Sequence, residues 1–303
     1  MSEPDPEIEF VLSPTGNRNG LDFQPQSDPP LSLLLRGLTA ARVGLRRAGI
    51  SIATCELLDF QLAHARARDA VHAALQPATL IGDLRSLLIS TNGPSDVLLL
   101  HSAAKDRQTY LQRPDLGRKL DTAGQRRLRD YPRPDSGYDL SFVVADGLSA
   151  LAVERHVIPL LAEVLPALSE SASDLRMAPI CVVEQGRVAV ADEIAHTLSA
   201  SLAIMLIGER PGLSSPDSLG AYITWRPEPG QTTDANRNCI SNIRAEGLSY
   251  AQAATRLLHY IHQARSRQIS GTALKDPDPV PGSMSAGELG AGFGALGESG
   301  EEI

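Results

Sequence analysis

At 303 residues with 42% hydrophobic side chains, the chain can bury one large domain or two modest ones around a genuine core. Thirty-six acidic against 28 basic residues give a formal charge of −8, which repels a phosphate backbone and argues against nucleic acid as a partner. Three widely spaced cysteines and no apolar run near ~20 residues argue against a disulfide framework, a CxxC metal knuckle and a membrane span. A reducing cytosol is the expected setting.

Residues 1–30 are rich in Pro, Asp, Glu, Asn and Gly and too poor in apolar groups to offset the entropy of ordering, so a flexible arm is expected. It could serve as a solubilising tail or as a targeting segment. In 31–135 the expectation is a smaller, mainly helical region and linker. Ser32 to Gly44 has helical character, and Glu56 to Leu75 spaces Leu57, Phe60, Leu62, Ala63, Ala67, Ala70, Val71 and Ala74 near a 3.6-residue period, which predicts an amphipathic helix. VLLLHS (Val97–Ser102) reads as a short buried strand, and the basic, Pro-punctuated stretch Arg107–Asp135 as a loop-rich linker. The short clusters Arg42/Arg46/Arg47 and Arg126/Arg127/Arg129 have few neighbouring aromatics and read as solvated helix faces or loops.

From 136 to 276 strands and helices alternate. An apolar run, Leu140–Ala145, stops at Asp146-Gly147 and is followed by the helical pattern Ser149–Leu168. Next come the strand-like Ala178–Val183, a helix near Asp192–Ser201 and the apolar strand Leu202–Gly208. Ala221–Trp225, Asn238–Ile243 and a final helix, Ser249–Arg267, complete the region. This alternation predicts an α/β, Rossmann-like domain with a largely parallel sheet and flanking helices. Residues 277–303 are dominated by Gly, Pro, Ser and Glu, and a disordered tail is expected. Its Gly292-x-Gly294-x-x-Gly297 lacks the strand and helix that a dinucleotide-binding turn needs.

In open α/β sheets ligands collect beyond the carboxyl ends of strands. Three segments qualify: Asp146–Ser149, Gly208–Ser218 and Asn238–Arg244. Gly208–Ser218 combines Gly, Pro and many hydroxyl and carboxyl groups, as a binding loop would, although an ordinary crossover loop carries the same turn residues. Glu209 is either a ligand contact or a solvated strand end, and Cys239 either a nucleophile or a packed thiol. His64, His72, His156 and His196 lack partners at metal-ligand spacing, and Ser214 and Ser215 lack a GxSxG elbow.

LLDFQLAHARARDAVHAAL, HSAAKDRQTYLQRPDLGRKLD, VVADGLSALAVERHVIPLLAEVLPAL, IGERPGLSSPDSLGAY and RNCISNIRAEGLSYAQAA together resemble the small subunit of ethanolamine ammonia-lyases, in the same order and over about residues 36–276. The resemblance implies an adenosylcobalamin-dependent carbon–nitrogen lyase that converts ethanolamine to acetaldehyde and ammonia. It implies a non-autonomous chain holding the lower side of the cofactor, with catalytic residues in a large-subunit partner that binds ethanolamine within a large hetero-oligomer. Carried over by motif, Val188 in GRVAVADE, Glu209 in IGERPGL and Cys239 in RNCISNIR are implied to contact cobalamin. No Asp-x-His, the start of the DxHxxG pattern, occurs, so benzimidazole is expected to stay on cobalt. The family occurs both in the open cytoplasm and inside bacterial microcompartments. Besides a subunit of this kind, the residues are compatible with a free-standing nucleotide or small-molecule binding α/β module, or with a serine or cysteine hydrolase.

Overall fold

The computed structural model describes residues 31–39, 41–91, 96–172 and 174–275. The arm at 1–30, the tail at 277–303 and its Gly292–Gly297 motif lie outside the described residues. Two compact units divide between Ala53 and Thr54. In the first, helix α1 (Leu31–Leu38) precedes a hairpin of β1 (Arg47–Ala48) and β2 (Ser51–Ile52), with Gly49 turning at a φ of +62°. The Arg36 guanidinium donates to the carbonyls of Val43 (3.2 Å) and Gly44 (3.2 Å), tying the helix to the following segment.

The second unit is a six-stranded sheet between two layers of helices. Its strands are β3 (Val97–His101), β4 (Tyr138–Ala145), β5 (Ile180–Glu184), β6 (Ala200–Gly208), β7 (Leu219–Trp225) and β8 (Arg237–Ile243), in the spatial order β3-β5-β4-β6-β7-β8. The first four pair in parallel. β7 and β8 are antiparallel, a correction to the largely parallel expectation for the last two strands. The physical reason is in the sequence: no α-helix separates these strands, and a parallel return needs a crossover of a dozen or more residues. β3 pairs with β5, so the expected boundary at 135/136 runs between strands of one sheet.

Side chains alternate across the sheet. One face packs Leu140, Phe142, Val144, Leu202, Ile204 and Leu206 against α3 (Pro77–Thr91), α6 (Ala150–Ser171) and α8 (Tyr250–Arg267). The opposite face packs Val143, Ala145, Cys181, Val183, Met205 and Ile207 against α5 (Thr122–Arg129) and α7 (Val190–Thr197). Strands sandwiched on both sides must be apolar throughout, which is why β6 reads ASLAIMLIG. The second core thins out along the sheet: from β7 only Tyr222 packs against it, and β8 contributes nothing.

Helix α2 (Thr54–His72) forms where its periodicity predicts it, but buries a different stripe. Ala63, Ala70 and Glu56 are buried, whereas Leu57, Leu58, Phe60 and Leu62 are exposed. The stretch expected as a linker holds α4 (Arg107–Gln112) and α5, each begun by an Asp cap: Asp106 accepts from the Thr109 amide (2.7 Å) and Asp121 from the Gly124 amide (2.6 Å). Among the described residues, no helix is long and apolar enough to cross a membrane.

At the carboxyl ends of β4 and β6 the two backbones touch. Gly147, at a φ of +56°, leaves no room for a Cβ, which would lie 2.2 Å from the Gly208 carbonyl. The Leu148 amide donates to that carbonyl (2.9 Å), closing the rim between the two strands.

Candidate functional site

On the side of β7 and β8 that Tyr222 and Cys239 share, a connected group of polar side chains reaches the surface at Cys239 and Ser241. Tyr222 stands opposite Cys239 in the ladder, and Cys239 and Ser241 are exposed on the same side of β8. A bulge opposite Gly220 adds one residue to β8, with Asn242 at a left-handed φ of 60°. Such a bulge re-aims its neighbours. Here it turns the Ser241 hydroxyl to the Glu209 carboxylate, to which it donates through Oε1 (2.6 Å), and brings the Asn242 amide to Oε2 (3.1 Å).

Glu209 follows β6 directly and lies across Gly220. A Cβ at Gly220 would meet Glu209 Oε1 at 2.9 Å and Cγ at 3.0 Å, so only glycine lets the carboxylate rest there. The Ser218 hydroxyl also donates to Oε2, and the Glu209 amide donates to the Ser218 carbonyl (2.9 Å). Three donors thus occupy the carboxylate, leaving one acceptor direction of Oε1 open. Cys239 Sγ lies 3.4 Å from Ser241 Oγ. Partial desolvation raises the Cys239 thiol above its usual range and Glu209 raises it further, while its hydrogen-bonding contacts with Ser241 and Tyr222 act the other way. The net effect disfavours a thiolate.

The Glu209–Ser218 connection is held rigidly. Ser149, which caps α6 through the Ala152 amide, donates its hydroxyl to the Pro216 carbonyl (2.9 Å). Asp217 accepts from Arg155 (2.8 Å) and lies 3.5 Å from His156 Nε2; His156 Nδ1 meets the Tyr250 hydroxyl (2.8 Å). Arg244 at the end of β8 donates to the Ser214 carbonyl (3.1 Å) and to Asn242 Oδ1 (3.0 Å). Ser215 is used in a tight turn with Gly212. Desolvation lowers the His156 imidazole, against the raising effect of Asp217. The ring nitrogens thus face Tyr250 and Asp217, and neither is paired with Ser214 or Ser215, as a hydrolase would require.

Val188 lies in the turn between β5 and α7, half-buried against the core that also receives Met205, Ile207 and Tyr222. Glu209 and Cys239 are thus joined through Ser241, and Val188 borders the same side of the sheet. Nearby, buried Asp146 accepts from the Gly186 amide (3.1 Å), and its other oxygen stands 3.6 Å from Arg107 Nη1. Burial pushes its carboxyl up to about 6, with Arg107 pulling it back. Arg107 in turn donates to the Val71 (2.7 Å) and Gly147 (2.8 Å) carbonyls, tying α2 to the β4 turn.

Gly220, Tyr222 and Ser241 escaped sequence reasoning as individual residues. The Cys239-x-Ser241 alternation was a signal that both share one side of a strand; the bulge that points Ser241 at Glu209 had none.

A family model described as ethanolamine ammonia-lyase light chain matches residues 32–275. The chain is 55% identical over 245 residues to the ethanolamine ammonia-lyase small subunit of Pseudomonas syringae pv. tomato, covering 80% of this chain and 82% of that one. To the protein of that name from Azotobacter vinelandii it is 54% identical over 278 residues, covering 91% and 99%. To that from Pseudomonas aeruginosa it is 56% identical over 250 residues, covering 82% and 88%. Identity of this extent, with a family match that spans every element building the site, makes the chain a member of the ethanolamine ammonia-lyase small-subunit family.

Proposed function

We propose that this chain holds the lower side of a base-on adenosylcobalamin, while a large-subunit partner binds ethanolamine and carries the catalytic residues of its deamination to acetaldehyde and ammonia. The observation that carries the reading is the exposed stretch of β8 at Cys239 and Ser241, where Glu209, Ser241 and Cys239 form one hydrogen-bonded row beside Tyr222. The residues fit a corrin. A broad, nearly flat ring edged with carboxamides needs a flat wall with fixed acceptors, and an open sheet face with an oriented carboxylate is such a wall.

When bound, the cofactor supplies the radical chemistry through homolysis of its cobalt–carbon bond. The chain's own residues position and shield. Glu209 Oε1 accepts from a corrin carboxamide, Cys239 and Tyr222 exclude water from the ring's underside, and Val188 adds an apolar contact. The ties through Asp217, Ser149 and Arg244 keep this wall from relaxing when the cofactor leaves. The exposed leucines of α2 support a chain that works inside a larger assembly; its proposed setting is the cytoplasm, either open or within a microcompartment.

The test is reconstitution. Mixed with its cognate large subunit, adenosylcobalamin and ethanolamine, the chain yields acetaldehyde, and omission of either protein abolishes it. Product formation by the large subunit alone, or none from the full mixture while an established pair reacts, rejects the assignment.

A further inference from the structure

The hydrogen-bond polarity of the row suggests a selectivity that goes beyond holding the cofactor. As a carboxylate, Glu209 only accepts, so the Ser241 proton is committed to Oε1 at 2.6 Å; the Cys239 thiol, 3.4 Å away, then donates to one lone pair of the Ser241 oxygen and leaves the other as an acceptor. The exposed rim of the site therefore offers two adjacent acceptors, the free direction of Glu209 Oε1 and the oxygen of Ser241. The bulge and the bond from the Asn242 amide hold both in place. An all-acceptor pair satisfies the N–H groups of a neutral carboxamide and repels a carboxylate of the same size and shape.

We propose that Glu209 and Ser241 form a carboxamide-reading pair, with Ser241 as a further cofactor-contacting residue, and that the pair discriminates against corrinoids in which the facing peripheral carboxamide has become a carboxylate. The inference rests on the cobalamin reading above. Selectivity of this kind is strong because the wrong ligand leaves acceptors facing acceptors at a site already desolvated by the ring.

The test measures binding rather than turnover. The complex of this chain with its large subunit is titrated with cyanocobalamin and with each monocarboxylic acid made by hydrolysing one peripheral propionamide. Retention is read by equilibrium dialysis and the corrin absorption band. At least one monocarboxylate binds about tenfold or more weakly than cyanocobalamin. Glu209→Gln removes the carboxylate and gives Ser241 a donor, so its hydroxyl can turn outward and the discrimination collapses. Ser241→Ala weakens cyanocobalamin binding but keeps the discrimination, since Glu209 remains an acceptor. Equal affinity for all the corrinoids in the unaltered complex overturns the pair, as does discrimination that survives Glu209→Gln in full. A complex that binds none of them overturns the cobalamin reading instead, which separates the two failures.

Discussion

Glu209 shows how much of a residue's role depends on what surrounds it. Its position just after an apolar strand favours a solvated strand end slightly over a ligand contact, and the Ser218, Ser241 and Asn242 donors turn it into an oriented acceptor. Gly220 permits this orientation. Gly220→Ala should displace the carboxylate with little loss of fold, weakening cobalamin retention by the assembled enzyme roughly tenfold. Dialysis against circular dichroism separates the two effects, and unchanged retention would clear Gly220 of the role. Asp146 has a pH signature. Burial raises its carboxyl from 3.8 to about 6, so below 3.8 it is protonated whether folded or not and folding carries no penalty. As pH rises from 3.8 through about 6 the unfolded chain ionises this group while the folded chain keeps it protonated, and stability is lost over that window, by on the order of 3 kcal/mol. Asp146→Asn should flatten this part of the profile in urea titrations at a series of pH values; an unaltered slope would show that Asp146 is not its source.

At the scale of elements, α7 and β8 depend on each other through one buried ion pair. Arg237 meets Asp192 in a bidentate arrangement at 2.6 and 2.7 Å and also donates to Thr224 (3.0 Å). Removing one member leaves a buried charge without its partner, so Asp192→Ala should destabilise the chain by about 3–5 kcal/mol, measured by chemical denaturation. A change below about 1 kcal/mol would mean that water replaces the lost carboxylate. Elements differ in how far they could be read from their residues. β4, β5, β6 and α8 lie close to the bounds their patterns predict, because strong periodicity and two-sided burial leave few alternatives. α4 and α5 were read as linker because they are short, polar and flanked by Pro, although Asp106 and Asp121 were available as caps. α3, from Pro77 to Thr91, carries the buried stripe Leu80, Leu84 and Leu88 that a strict four-residue count would have found.

At the scale of the whole molecule, α2 turns large side chains outward. Leu58 is 57% and Leu62 50% exposed, one turn apart on one face, as befits a surface that another protein covers. The double substitution Leu58→Asp/Leu62→Asp should weaken association with the large subunit roughly tenfold or more, without changing the unfolding midpoint of the isolated chain. Size-exclusion chromatography of the mixture checks this, and undiminished co-elution would take α2 out of the interface. The residues by themselves determined the α/β class, the order of the main strands and the family, because apolar periodicity and long ordered motifs are local properties of a chain. The tertiary structure alone decided that the last two strands run antiparallel, that β8 leaves Cys239 and Ser241 exposed, and that a bulge at Ser241 and Asn242 joins Cys239 to Glu209 across 30 residues of sequence. Those outcomes depend on register and on which faces find partners, and both are set by contacts between segments far apart in the chain.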